Sequence, residues 1–302
     1  MSLWIVFTLA AATFQTLRFM LQKTLASGAL SAGGATFARF LYSAPLVAVL
    51  LVLYLARTGH ALPAMPLSFW LYGMAGGAAQ ILATVFVVIL FKSRNFAVGI
   101  TFKKTEVIQT VLVGLIVLDE GVTFTGFLFI LIGLIGVLLL SDPPEGGDGP
   151  IWKRMGNRAV ALGLGSGVFF AISGVSYRGA SLSLGLNNPL FSAGVTLAAV
   201  TMMQMVAMAL WLRLREPGEI TRVWDARRTA SLVGLTSMAG SYCWFTAFTL
   251  QNAAYVNALG QVELILSLLA STLFFREKIT AREYLGIAVL AVSILGLIFV
   301  LR

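Results

Sequence analysis

Apolar residues run along this chain in long stretches, separated by short breaks that hold charge, glycine or proline. The stretches fall near residues 3–22, 33–56, 69–91, 96–118 and 122–141, and then near 158–178, 188–213, 229–250, 253–275 and 280–301. Each is close to the roughly 20 residues a helix needs to cross the hydrocarbon core of a bilayer. They are continuous rather than built of ten-residue alternating segments, so the pattern predicts helices, whose backbone polar groups are satisfied internally, and excludes a barrel. The first stretch carries Gln15 and Arg18 and lacks a charged leader before its apolar part, so it reads as a helix and not as a cleaved signal.

Composition agrees. Of 302 residues, 59% are hydrophobic and 11% charged, well below the charge content of about 25% typical of soluble domains. The expected fold is an all-α polytopic membrane protein with ten transmembrane helices. A net charge of +9 would raise nucleic acid as a partner for a soluble protein. Here the basic residues sit in short loops, where they report orientation, and no nucleic acid is expected.

Loops after the odd-numbered stretches carry fourteen of these residues, from Lys23 through Lys92, Arg94, Lys153, Arg154 and the Arg213–Arg228 group to Arg276, Lys278 and Arg282. The other side holds Arg57, Arg178 and Arg302. The richer side belongs in the cytoplasm, which predicts that both termini face the periplasm.

Cofactor chemistry has little to stand on. The single cysteine, Cys243, lies inside an apolar stretch, and the single histidine, His60, lies in a loop, so neither a disulfide framework nor a metal cluster is expected. The glycine-rich EGGDGP at 145–150 lacks the Gly-Lys-Ser/Thr of a phosphate loop and reads as a connector.

The chain also repeats itself. A shift of 157 residues lays Asn95 on Asn252, Glu106 on Glu263, Glu120 on Glu277 and Thr123 on Thr280. The boundary falls at the polar, turn-rich SDPPEGGDGP. Each half, 1–141 and 157–302, then holds five spans on either side of a connector at 142–156. An odd number gives the halves opposite orientation, the arrangement of inverted repeats around a central cavity.

In each half a glutamate stands early in the fourth stretch and a second one about fourteen residues later at a short turn, followed by an oily, glycine-containing fifth stretch. These are Glu106 and Glu120 before GVTFTGFLFILIGLIGVLLL, and Glu263 and Glu277 within FFREKITAREYLGIAVLAVSILGL. This twice-occurring pattern resembles the EamA-type branch of the drug/metabolite transporter superfamily. The family often has proline after the first glutamate, where Val107 and Leu264 stand here. The resemblance implies a ten-helix carrier of small metabolites in the inner (plasma) membrane of a bacterium, often an exporter. For many members it also implies cytoplasmic termini, the opposite of what the loop charges of this chain predict.

Charge inside the apolar stretches is the remaining signal, because an ionisable side chain near the bilayer centre costs about 2.5–3.5 kcal/mol on insertion scales and marks function by default. Lys103, Lys104 and Glu106 lie seven to ten residues into the fourth stretch, about 10–15 Å deep at 1.5 Å per residue. Lys103 and Glu106 are three apart and can pair. They either line a substrate or proton path or form a neutral structural pair.

Glu263 has no lysine at the matching positions, which hold Gly260 and Gln261. It is expected among polar neighbours such as Asn257 and Gln261, as a candidate carrier of a coupled proton. Arg18 and Arg39 add two cations that could attract a carboxylate or phosphate, or reach lipid phosphates instead. Further candidates for the cavity wall are Gln15, Gln80, Thr84, Tyr242, Trp244 and Thr246. Glu120 and Glu277, beside turns, read as structural, and Thr280 with Glu283 has capping-box spacing.

The expectation is therefore a secondary transporter working by alternating access, with a small amphipathic metabolite, amino acids foremost, as substrate and lipids around it. Export of lipophilic cations is the alternative within transporters. A non-transporting sensor or a lipid-modifying enzyme is the alternative from another class, and it lacks a His/Cys/Asp set for catalysis.

Overall fold

A computed structural model describes residues 2–28, 30–91, 103–140, 158–266 and 281–301. Eleven helices make up these residues: α1 (Leu3–Ser27), α2 (Ala32–Thr58), α3 (Leu67–Phe91), α4 (Glu106–Leu118), α5 (Phe124–Leu140), α6 (Arg158–Ser183), α7 (Pro189–Arg215), α8 (Glu219–Asp225), α9 (Arg227–Leu250), α10 (Ala253–Gly260) and α11 (Ala281–Val300). No strand occurs among the described residues.

Among the described residues six helices are long and apolar enough to cross a membrane: those starting at Leu3, Ala32, Leu67, Arg158, Pro189 and Ala281. Large apolar side chains on their outer faces and on the shorter helices stay exposed, with Ile116, Phe124, Leu214 and Phe299 each more than three-quarters exposed. In water such surface would drive aggregation; in lipid it is the solvated face. α9 is equally long but less apolar, because one side of it carries Ser237, Ser241 and Thr246, all buried.

Local sequence sets the helix ends. The Ser31 hydroxyl accepts from the Gly34 amide at 2.9 Å, and the Asn188 side chain accepts from the amides of Leu190 and Phe191, with Pro189 opening α7. The short α8, which no apolar stretch foreshadows, docks on the start of α2 through Glu219. Its carboxylate accepts from the Ser31 amide at 2.5 Å, where the positive end of the α2 dipole favours an anion.

The two halves interdigitate. α1 packs on α9, α2 on α7, α3 on α6, α4 on α10 and α5 on α11. The α5–α11 seam is tight because it is built of small residues: a Cβ on Gly136 would stand 2.7 Å from the Leu290 amide nitrogen. Beside it the Ser293 hydroxyl donates to the Phe129 carbonyl at 2.6 Å.

The expected continuous helices over 96–118 and 253–275 are interrupted. The chain turns at 104–105 before α4, and turns again at Gln261 after α10 before further helix over 262–266. Neither break needs the proline absent at Val107 and Leu264. In both, a buried charged or amide side chain sits at the turn, at Lys104 and at Gln261. Glu277, Thr280 and the loop cations at 92, 94, 153, 154, 276 and 278 lie outside the described residues.

Candidate functional site

The breaks in the fourth and ninth stretches face one another at the centre of the bundle. Glu106 opens α4, and its carboxylate stands 3.3 Å from the ammonium of Lys103 in its own half. The Lys103 ammonium also lies over the Phe170 ring, 4.9 Å from its centroid. The pairing of residues three apart is as the spacing predicts.

Glu263 differs from expectation. It was expected among amides with no lysine near, yet the Lys104 ammonium donates to its Oε1 at 3.0 Å, across 159 residues of sequence. The lysine that the second half lacks is thus supplied by the first. Its other oxygen accepts from the Gln15 amide at 2.7 Å, and the Gln15 carbonyl oxygen accepts from the Trp244 indole at 3.1 Å. With two donors on it, the carboxylate serves as an acceptor, the role of the ionised form. Asn257 and Gln261 bond elsewhere: Asn257 donates to the Thr110 hydroxyl at 2.9 Å, and Gln261 donates to the Asn257 backbone carbonyl at 3.3 Å.

The two guanidiniums are buried, with Arg18 3% and Arg39 4% exposed, so neither reaches lipid phosphates. Arg18 donates to Gln22 at 2.6 Å and lies over the Phe19 ring. Arg39 donates to three hydroxyls, from Nε to Ser237 at 2.6 Å, from one terminal nitrogen to Ser241 at 3.0 Å and from the other to Thr84 at 3.4 Å, and its guanidinium lies over the Phe40 ring, 5.3 Å from the centroid.

These groups surround a cavity of about 50 Å³ lined by residues of both halves, room for a few waters. Of the residues singled out from the sequence, Gln15, Arg18, Arg39, Gln80, Lys103, Glu106, Trp244 and Asn257 line it. Lys104, Gln261 and Glu263 lie buried behind that wall. Tyr242 is not brought to it: its hydroxyl donates to the Leu190 carbonyl at 3.3 Å. It lines a separate, largely apolar pocket of about 410 Å³ between α2, α7 and α9.

Sequence reasoning passed over Phe170, Ser173 and Tyr177 of α6 and Ser237, Ser241, Phe245 and Phe248 of α9, which complete the wall. Their signal was weak, since serines and aromatics at helical spacing also serve ordinary packing. The Tyr177 hydroxyl donates to Gln80 at 3.0 Å and lies 3.2 Å from the Gln204 amide, fastening α3, α6 and α7 beside the cavity.

Glu120 is placed as its turn position suggested. Arg178 Nε donates to both of its oxygens, at 2.9 and 2.7 Å, while another nitrogen of that guanidinium donates to the carbonyls of Phe248 and Gln251 at the end of α9. This clamp satisfies carbonyls that a helix end leaves open.

A bundle of helices with apolar outer faces and a charged cavity walled by several of them defines a polytopic membrane protein with a buried polar site. Residues 157–299 match the EamA-like transporter family, which belongs to the drug/metabolite transporter superfamily, so the second half of the chain is similar to proteins that move small solutes through membranes. A solved crystal structure of a protein is similar in fold, with a TM-score of 0.72 over 99% of this chain and 98% of its own at 17% sequence identity. No curated protein matches.

Proposed function

We propose that the protein is a secondary active carrier that exports small amphipathic metabolites, amino acids and similar solutes foremost, by alternating access. The observation that carries this reading is a cavity walled by both halves of the chain, with buried charge on it and an ion pair, Lys104–Glu263, joining one half to the other.

The inverted-repeat reading, with halves 1–141 and 157–302 about a connector at 142–156, is supported by two features. A shift of 157 carries the bounds of α2 onto those of α7, and carries the turn at 104 onto the turn at 261. The packing is also reciprocal, the first helix of each half lying on the third of the other. Ten spans follow if the fourth and ninth are counted as interrupted helices. Half-helices meeting near mid-membrane are where carriers of this kind hold their solutes.

A cavity of about 50 Å³ is too small for an amino acid, so a solute enters only when the helices part on one side. Lys104 and Glu263 would act as the lock between halves, and a coupled proton would reach Glu263 only after Lys104 leaves it. Export of lipophilic cations is disfavoured, because each cavity carboxylate already faces a lysine. The excess of Lys and Arg in the loops after the odd-numbered stretches supports an orientation with both termini periplasmic, and the resemblance to EamA-type carriers supports the bacterial inner membrane as its location.

Counterflow in proteoliposomes tests the reading. Preloaded amino acids should drive uptake of the labelled solute through the native protein and not through empty liposomes. Accumulation of quaternary amines alone would turn the assignment to drug export, and an unchanged rate and pH profile in Glu263→Gln would remove the proton role.

A further inference from the structure

Charge around the cavity does not balance. Lys103 is matched by Glu106 and Lys104 by Glu263, at 3.3 and 3.0 Å. What remains is Arg18 and Arg39, both almost wholly buried, both on the cavity wall, with no carboxylate within ion-pair distance of either among the described residues. A buried cation needs a counter-charge far more than it needs hydroxyl donors turned round to accept. Among the described residues Arg39 has three hydroxyls and the face of the Phe40 ring, and no anion. Its planar fork is the side-chain geometry that pairs with an oxyanion.

Beside the guanidiniums the wall is aromatic, from Phe170, Tyr177, Trp244, Phe245 and Phe248. These rings offer apolar surface to the body of a solute whose head lies against the cations.

We infer that the solute carried is a net organic anion, whose carboxylate or phosphate head sits between Arg18 and Arg39 and whose apolar body lies on the aromatic wall. This deepens the carrier reading and rests on it. Among amphipathic metabolites, amino acids included, it selects those with a net negative charge over neutral zwitterions, because Glu106 and Glu263 are already neutralised and two positive charges are left for the solute to answer.

The test uses a series sharing one ring: phenylacetate and phenyl phosphate against phenylacetamide, phenethylamine and phenylalanine, with succinate as a ring-free dianion. Melting temperature of the purified full chain in detergent reads binding, and proteoliposome counterflow reads transport. The anions should raise the melting temperature by several degrees and the amide and amine should not. The ratio of the phenylacetate to the phenyl phosphate midpoint decides between carboxylate and phosphate heads.

In Arg39→Gln the anion midpoint should rise at least tenfold. Arg39→Lys, which keeps the charge and guards against a misfolded glutamine variant, should fall between. Equal shifts across the series, no shift from any member, or an unchanged anion midpoint in both variants would overturn the anion site. Counterflow of phenylalanine or phenethylamine without anion binding would sink this inference and leave the carrier standing. Anion binding lost in Arg39→Gln, with no counterflow of any compound, would keep the site and remove the carrier.

Discussion

Glu106 and Glu263 occupy the same place in the two halves of the chain, yet they are neutralised in different ways. Glu106 takes its lysine from three residues earlier in its own half, across the turn at 104–105, so the pair does not depend on the other half. Glu263 takes Lys104 from the other half, so that pair exists only while the two breaks face one another. Identical residues at equivalent positions therefore have different duties. One is a fixed fixture of the wall, and the other reports, and under the proposed cycle controls, the relation between halves.

Substitutions can break or sharpen this contrast. The largest effect should come from Lys104→Met, which leaves the Glu263 carboxylate buried and unpaired and should cost about 3–5 kcal/mol. Thermal melting should show this loss, and much of it should return in the double variant Lys104→Met/Glu263→Gln, since removing both charges is cheaper than stranding one. Simple additivity of the two changes would mean that the pair carries no coupling.

Lys103→Met should cost less than Lys104→Met, because Glu106 opens α4, where the helix dipole favours an anion by about 0.3–1 kcal/mol. The difference between the two melting temperatures is the direct measure of the contrast.

Arg178→Gln should lower stability by about 1.5–3 kcal/mol, the range for hydrogen bonds to charged groups, through the lost Glu120 and α9 carbonyl contacts. The folded fraction should transport normally, since this clamp does not line the cavity. A transport defect out of proportion to the loss of folded protein would put Arg178 in the cycle. Gly260→Ala would set a Cβ 2.5 Å from the Trp244 ring and should cost about 1–3 kcal/mol by overpacking, with transport weakened because Trp244 positions Gln15 on Glu263. Asn188→Ala, which removes only the α7 cap, should cost about 1 kcal/mol and leave transport unchanged.

Much of the site was legible because membrane burial makes polar residues conspicuous. Gln15, Arg18, Lys103, Glu106 and Asn257 stand out against apolar neighbours, and each lines the cavity. The serines at 237 and 241 were not legible, since a hydroxyl in a membrane helix can satisfy itself on its own backbone and carries no signal of facing a guanidinium. Tyr242 misled for the converse reason: an aromatic with a polar tip suits a cavity and suits a lipid-side pocket equally, and only the rotation of α9 decides which.

By itself the sequence determined that the chain is helical and membrane-bound, and which ionisable groups would be trapped in the interior. Those follow from backbone hydrogen-bonding in lipid and from the cost of burying charge, which act through length, composition and spacing alone. The tertiary structure decided which charges meet. Lys104 finds Glu263 and Arg39 finds the hydroxyls of Ser237 and Ser241 because the helices of one half pack between those of the other, and contacts between residues well over a hundred positions apart depend on that packing and on nothing local.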